Sequence, residues 1–168
     1  ETVRFEREGV RLDFGGNGKG YALDQAAGWL AEAGMTDMLL HGGQSSLLAR
    51  GAPPWDSGWV VTVRNPLRPD TTLATLNLRN TALATSANVV QGIEIDGKRY
   101  GHLIDSRTGR PIEGMAGVTV VAPDAETADA LSTAFFALGI DGIRQYCSRH
   151  SRVGALAVPQ PEAGERPS

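Results

Sequence analysis

The sequence has one cysteine, few aromatic residues and no long apolar run. Cys147 is the single cysteine among the 168 residues, so an intrachain disulfide and a thiolate metal cluster are excluded. No run of about 18 apolar residues occurs, and no signal-peptide pattern is present. We therefore expect the chain as given to be soluble, with Cys147 filling space on a helix face.

Clusters of Lys and Arg are also missing, and the formal net charge is -3. Because a nucleic-acid partner requires a basic patch or stripe, the sequence predicts no nucleic-acid binding. Any anionic ligand must instead be held by local groups. The three histidines lack metal-ligand spacing, which argues against zinc, and Ser86 lacks the G-x-S-x-G pattern of serine hydrolases.

The composition that remains is that of an ordinary folded domain, with 41% hydrophobic and 21% charged residues. The length suits one domain, and the sequence contains neither an internal repeat nor a domain boundary. We therefore predict a single domain over residues 1–158. The tail 159–168 is rich in Pro, Glu and Gly, and we expect it to be disordered.

Hydrophobic periodicity predicts an α+β fold, a largely antiparallel sheet with two or three helices packed on it. The predicted helices cover residues 21–34, 125–138 and about 141–149. Residues 1–13 alternate weakly and predict one or two strands. A buried strand over 38–40 is expected to resume at 47–49 after an interruption at a glycine pair. The other predicted strands are 59–63, 72–78, the hairpin 93–95 with 99–100, 118–122 and 154–158.

A glycine-rich turn precedes the first predicted helix. Four glycines lie within residues 15–20, and such a turn exposes backbone N–H and C=O groups to a ligand. A helix that begins there favours an anion such as phosphate, and Lys19 adds a full positive charge. Asp13 adds an acidic group just upstream. The turn matches neither common nucleotide fingerprint, so a plain glycine corner with a solvated lysine remains the alternative.

The second predicted helix carries Asp129 and Thr133, which lie one helical turn apart on the same face. Two oxygen ligands in this geometry suit Mg²⁺, which takes further ligands from water, phosphate or backbone carbonyls. The alternative is an exposed Asp129 and a Thr133 bonded back to its own helix. We expect the two residues at the margin of a buried side formed by Ala128, Leu131, Phe135 and Leu138.

His102 is the best candidate for a general base, since its ordinary pKa lies near neutrality and it sits where a strand meets a turn. The alternative is a capping residue at the edge of the core. His41 precedes a glycine pair and is a weaker candidate, and His150 has no supporting context.

Five motifs in register over roughly residues 10–140 resemble the ApbE family of FAD:protein FMN transferases. The matching stretches are the turn at 13–24, the pair Gly42 and Gly43, the pair Thr85 and Ser86, the loop 102–109, and the helix segment 128–133. The resemblance implies binding of FAD with Mg²⁺ and transfer of the FMN half of FAD to a Thr or Ser hydroxyl of an acceptor flavoprotein, with release of AMP.

Residue roles also follow from the resemblance. Asp129 and Thr133 would be side-chain ligands of Mg²⁺, with the backbone carbonyl of Gly16 as a third ligand. His102 would assist removal of the proton from the attacking hydroxyl. The residues that would contact FAD are Asp13, Lys19, Ile104, Thr85 and Ser86. The resemblance further implies that the glycine-rich corner and the acidic helix fold against each other.

The family's proteins are nearly twice as long as this chain, and their N-terminal portion, which helps to hold FAD, has no counterpart here. Three expectations are open: a truncated piece, a short member that completes its site as a homodimer, or a form that binds flavin without transfer. Hydrolysis of FAD to FMN and AMP and a non-catalytic flavin-binding module are the alternative functions. The resemblance suggests a periplasmic or membrane-associated location, although no signal segment is present.

Overall fold

The computed structural model describes residues 2–88, 92–95 and 98–161 of the chain, and these residues form two helices and eleven strands. In chain order the elements are α1 (Gly18–Glu32), β1 (Met38–Gly42), β2 (Ser46–Arg50), β3 (Trp59–Arg64), β4 (Thr72–Leu78), β5 (Thr81–Ala87), β6 (Gly92–Ile95), β7 (Lys98–Gly101), β8 (Ile104–Asp105), β9 (Arg110–Pro111), β10 (Met115–Ala122), α2 (Ala125–Arg149) and β11 (Gly154–Pro159). The predicted α+β class, with helices on a mainly antiparallel sheet, is confirmed.

The central sheet has five antiparallel strands in the order β1-β2-β5-β10-β11. The pairs β3–β4, β6–β7 and β8–β9 form separate two-stranded sheets. Successive side chains of a strand point to opposite faces, so each central strand contributes to two layers. One face packs against the helices: Leu48, Val118 and Val120 of the sheet are fully buried there with Phe135 and Phe136 of α2.

The β3–β4 hairpin covers the opposite face of the central sheet. Leu47 and Leu83 from the sheet pack there with Val63 and Leu78 from the hairpin. Burial on both faces explains why β10 is almost continuously apolar rather than alternating. Burial of apolar side chains therefore stabilises the sheet between two layers, the helices on one face and the β3–β4 hairpin on the other.

The start and end of α1 follow from local backbone chemistry. The carbonyl of Phe14 accepts hydrogen bonds from Asn17 N and Gly18 N, and the helix begins at Gly18, three residues earlier than predicted. Gly34 has φ +88 just beyond the last turn, the left-handed conformation that glycine adopts at helix C-termini.

Asp24 of α1 joins the two helices. Its carboxylate accepts from Ala125 N at 3.0 Å and Glu126 N at 2.8 Å, while Asp124 accepts from Thr127 N at 2.8 Å. Three of the first backbone N–H groups of α2 are therefore paired with carboxylates, which the positive end of a helix favours.

Asp24→Ala should lower the free energy of unfolding by about 1–2 kcal/mol, because two N–H groups of α2 lose their charged acceptor. Urea unfolding of the variant and the parent chain measures the difference. Glu32→Ala, an exposed acidic residue on the same helix, is the control and should change the free energy by less than about 0.5 kcal/mol. Equal effects of the two substitutions would contradict the capping role.

Several predictions of local structure are wrong. Residues 2–14 are largely exposed and form no strand, since weak alternation does not supply the neighbouring strand that a ladder requires. The predicted strand interrupted near Gly43 is instead the hairpin β1–β2, whose turn uses φ +72 at Gly43. Strand β5 was missed, because its small and hydroxylated residues carry little strand signal although they lie in the centre of the sheet.

The second and third predicted helices form one element, α2, with a break at Gly139, where φ is +69 and ψ is -179. Leu138, predicted to be buried, is 50% exposed because it lies just before this break. The predicted hairpin of β6 and β7 is confirmed, whereas its turn at residues 96–97 lies outside the described residues.

At the C-terminus, β11 extends through Pro159, and Gln160 N donates to Gly114 O. The predicted disorder of the tail concerns mainly residues 162–168, which lie outside the described residues. Within the described part of the chain, no helix combines the length and apolarity needed to cross a membrane.

Candidate functional site

The glycine corner, defined as residues 15–20, packs directly on the first turns of α2. A Cβ built on Gly20 would overlap the carbonyl oxygen of Ala125 and lie 2.7 Å from Glu126 Cα. A Cβ built on Gly16 would lie 3.6 Å from Thr133 Oγ1. Glycine at position 20 is therefore required by the close approach of two backbones, and Gly16 lies against the threonine predicted to bind the same cation.

Asp129 forms the centre of this contact. Its Oδ2 accepts from Gly20 N at 3.0 Å, and its Oδ1 accepts from Ser46 Oγ at 3.1 Å. The Lys19 ammonium lies 3.4 Å from Oδ1 and also donates to Gly15 O at 3.3 Å. The predicted place at a pocket margin is wrong for Asp129, which is only 4% exposed because the glycine corner covers it.

A hydroxyl cluster, defined as Ser86, Ser132 and Thr133, joins β5 to α2 and contacts the backbone carbonyl of Asp129. Ser86 Oγ is 2.8 Å from Ser132 Oγ and 3.3 Å from Thr133 Oγ1. Ser132 Oγ donates to the backbone carbonyl of Asp129 at 2.9 Å. Thr133 is thus bonded to a neighbouring strand, and neither it nor the buried Asp129 matches the alternative of an exposed, self-bonded helix face.

The donor set fits a hard divalent cation. The Asp129 carboxylate, the Thr133 hydroxyl and the carbonyls of the glycine corner are all oxygen donors, which Mg²⁺ prefers. The ammonium of Lys19, whose side chain is 41% exposed, already lies beside the Asp129 carboxylate. The carboxylate can therefore take a positive charge as its neighbour at this position. The described residues contain no group of three His, Cys, Asp or Glu that could hold a metal, so such a cation would need further ligands from water or phosphate.

The other predicted site residues lie on different segments. Asp13 accepts from Gly15 N at 2.6 Å and so shapes the glycine corner from within. Thr85 bonds Thr119 at 2.8 Å; as the neighbour of Ser86 in β5, it points to the opposite face of the sheet from the hydroxyl cluster. His102 and Ile104 are exposed at the end of β7 and the start of β8.

A bidentate ion pair organises the loop after His102. Arg107 Nε and Nη2 donate to the two carboxylate oxygens of Asp105 at 3.0 and 2.8 Å, and Arg107 Nη2 also reaches Ala137 O at 3.2 Å. The hydrogen bonds from Arg107 lower the pKa of Asp105. A surface depression of about 390 Å³ beside this pair is lined by neither Asp129 nor Thr133, so it is distinct from the glycine corner.

Three residues of the site have no sequence signal that assigns them a role. Ser46 and Ser132 carry no motif of their own, and each acquires its role through a contact with a residue that is distant in sequence or in the next turn. Gly20 was counted only as part of the turn. The alternation of β2 and β5 was the available signal, because it could have assigned Ser46 and Ser86 to the helix side of the sheet.

The chain is an α+β domain in which a glycine corner packs on α2 and brings oxygen donors of the kind that hard cations prefer close together. Comparison with known proteins identifies it more closely. The chain belongs to the ApbE family, whose model matches residues 1–157.

Named relatives and solved structures agree with this membership. An FAD:protein FMN transferase of Rhodobacter capsulatus is 36% identical over 140 residues, covering 82% of this chain and 26% of that protein. The one of Salmonella typhimurium is 33% identical, covering 82% and 40%. The ApbE protein of Thermotoga maritima superposes with a TM-score of 0.81 at 33% identity, covering 90% of this chain and 50% of that one.

The flavinyl transferase ApbE of Pseudomonas stutzeri, in its apo form, gives a TM-score of 0.75 at 30% identity. The match covers 90% of this chain and 46% of that protein. The chain thus spans between 26% and 50% of the length of these four relatives. The activity of the full-length relatives is therefore only proposed for this chain.

Proposed function

We propose that this chain carries the metal and FAD site of a flavin transferase, which moves the FMN half of FAD onto a Thr or Ser hydroxyl of an acceptor flavoprotein. The observation that carries the proposal is the contact of the glycine corner with α2. It brings Lys19 together with Asp129 and Thr133, which lie far from it in the sequence. Phosphoryl transfer depends mainly on positioning and on charge neutralisation, which such a corner supplies.

Asp129, Thr133 and the carbonyl of Gly16 are the residues that would hold Mg²⁺. When bound, the ion would neutralise charge on the phosphates of FAD. Gly20 N and Ser46 Oγ hold the carboxylate of Asp129 in one orientation before any ligand arrives. This pre-arranged carboxylate reduces the ordering that ligand binding has to impose.

Lys19 and His102 have separate roles in the proposal. The Lys19 ammonium is flexible, 41% exposed and only 3.4 Å from Asp129, so it can turn from the carboxylate to a phosphate. His102, exposed beyond β7, would accept the proton of the acceptor hydroxyl. The acceptor oxygen then bonds to the phosphorus of the FMN half, the bond to the AMP phosphate breaks, and AMP leaves.

The remaining assignments of the site stay predictions. Asp13, Ile104, Thr85 and Ser86 are proposed to contact FAD. For Thr85 the contact would have to occur on the sheet face that carries Thr119. A homodimer and a periplasmic or membrane-associated location also stay predictions.

The test is to incubate the chain with FAD, Mg²⁺ and a Thr-containing acceptor peptide of a flavoprotein. We expect the peptide to gain the mass of FMN less one water, with one AMP released for each adduct and neither product after EDTA treatment. A peptide with Val in place of the Thr is the matched control. AMP release that does not need the acceptor would favour hydrolysis of FAD. FAD binding that survives EDTA without AMP release would favour a non-catalytic flavin-binding module.

A further inference from the structure

The hydroxyl cluster has one arrangement of protons that satisfies all its contacts. Each hydroxyl has a single proton to donate and two lone pairs to accept with. Ser132 Oγ uses its proton on the carbonyl of Asp129 at 2.9 Å, because a carbonyl can only accept. Ser132 must therefore accept at its 2.8 Å contact with Ser86 Oγ, which makes Ser86 the donor.

The limit of one donated proton per hydroxyl also determines the direction of the Thr133 hydroxyl. Since the Ser86 proton points to Ser132, the 3.3 Å contact between Ser86 Oγ and Thr133 Oγ1 forms only when Thr133 donates. The Thr133 proton is thus directed toward β5. The lone pairs of Thr133 Oγ1 are then available on the side that faces Gly16. A Cβ built on Gly16 would lie 3.6 Å from this oxygen.

Burial keeps this arrangement in place. Ser132 is 1% exposed, so water has little access to replace its partners. Ser86 stands on β5, where it pairs in register with Val118 of β10 in the central sheet. A mid-helix threonine usually bonds back to its own helix, but the carbonyl of Asp129 is already bonded by Ser132.

We propose that Ser86 and Ser132 are positioning residues that hold the Thr133 proton away from the glycine corner, so that Thr133 Oγ1 presents a lone pair to the divalent cation. The proposal rests on the proposed function, because it takes Thr133 as a ligand. A partner of this kind fixes the orientation of a ligand without touching the metal. Ser86, considered from sequence as an FAD contact, gains a second role.

The first experiment titrates the full chain with Mn²⁺ alone and follows free Mn²⁺ by electron paramagnetic resonance. Ser132→Ala should weaken Mn²⁺ binding about tenfold, because Ser86 can then donate to Thr133 and free the Thr133 proton to turn toward the cation. Ser148→Ala is the matched control, since Ser148 Oγ makes the same bond to the carbonyl three residues earlier, Gln145, on an exposed part of α2. The control should bind Mn²⁺ as the parent chain does.

A second pair of variants separates the hydroxyl from packing. Ser86→Thr keeps the hydroxyl and should keep Mn²⁺ affinity. Ser86→Val gives a side chain of nearly the same shape as the threonine but without a hydroxyl, and it should lower Mn²⁺ affinity about tenfold. Both side chains are β-branched and suit a strand. This pair also decides the matter if Ser132→Ala fails to fold.

Thr133→Val separates the two proposals. If it abolishes Mn²⁺ binding while Ser86→Val and Ser132→Ala bind normally, the positioning role is overturned and the metal site stands. If Thr133→Val binds Mn²⁺ as the parent does, Thr133 is not a ligand and the positioning role is overturned. If the parent chain binds no Mn²⁺, the metal site itself is overturned and the positioning role with it. Loss of affinity in Ser86→Thr equal to that in Ser86→Val would also overturn the positioning role, since packing alone would then explain both.

Discussion

Replacing Asp129 by Asn should abolish Mn²⁺ binding and FMN transfer and also weaken the fold. The carboxylate accepts from Gly20 N and Ser46 Oγ and pairs with Lys19, so all three neighbours are donors. An amide offers one acceptor oxygen and an NH₂ group, which leaves a buried donor facing another donor. We expect the free energy of unfolding to fall by about 1–3 kcal/mol, and the negative charge that attracts the cation to be lost.

Urea unfolding and Mn²⁺ titration measure the two effects of Asp129→Asn. Asp141→Asn is the matched control, because it makes the same change on the same helix at a side chain that is 99% exposed and only pairs with Arg144. The control should leave both quantities unchanged. A folded Asp129→Asn chain that bound Mn²⁺ and transferred FMN normally would remove Asp129 from the site.

Replacing Gly20 by Ala should be among the most destabilising single substitutions in α1. The new Cβ would overlap the carbonyl oxygen of Ala125 and crowd the Cα of Glu126, and both are backbone atoms that cannot rotate aside. The helices would have to separate, which would also stretch the bond from Gly20 N to Asp129. We expect the free energy of unfolding to fall by about 3 kcal/mol, the upper end of overpacking costs.

Gly28→Ala on the same helix is the control for Gly20→Ala. A Cβ at Gly28 meets nothing within 4 Å, and the residue is exposed in the helix interior. Alanine there should raise the free energy of unfolding by about 0.5–1 kcal/mol, since glycine loses more backbone freedom on folding. Urea unfolding of both variants should give changes of opposite sign; a loss at position 28 as large as at position 20 would contradict the close-approach explanation.

Features of the fold that depend on local sequence periods were predicted correctly. The periodicity of residues 21–34 predicted α1 to within a few residues. The reason is that the buried face of a helix appears in the local sequence as apolar residues three and four positions apart. The one-turn spacing of Asp129 and Thr133 likewise predicted that both oxygen-bearing residues lie on successive turns of one helix, α2. Strand β5 escaped prediction, because its place in the centre of the sheet depends on the strands beside it.

The glycine corner shows the same division within one site. Its lysine and glycines predicted an exposed turn before a helix; the turn precedes α1 as predicted, but residues 16–19 are half-buried and Gly20 is buried. Residue patterns predicted Asp129 at the margin of a buried helix side, whereas the glycine corner buries its carboxylate. Burial of a residue by a segment 109 positions away, as Gly20 lies from Asp129, has no signal in the spacing around either residue.

By itself the sequence determined the class of fold, the two helices, and the presence of oxygen donors one turn apart on α2, because these features follow from fixed helix and strand periods. Only the tertiary structure decided that Asp129 is buried among donors, that Ser86 and not Thr85 faces α2, and that Ser132 completes a chain of hydroxyls. These contacts join segments far apart in the chain, and the packing of both helices on one face of the sheet is the physical reason that they form.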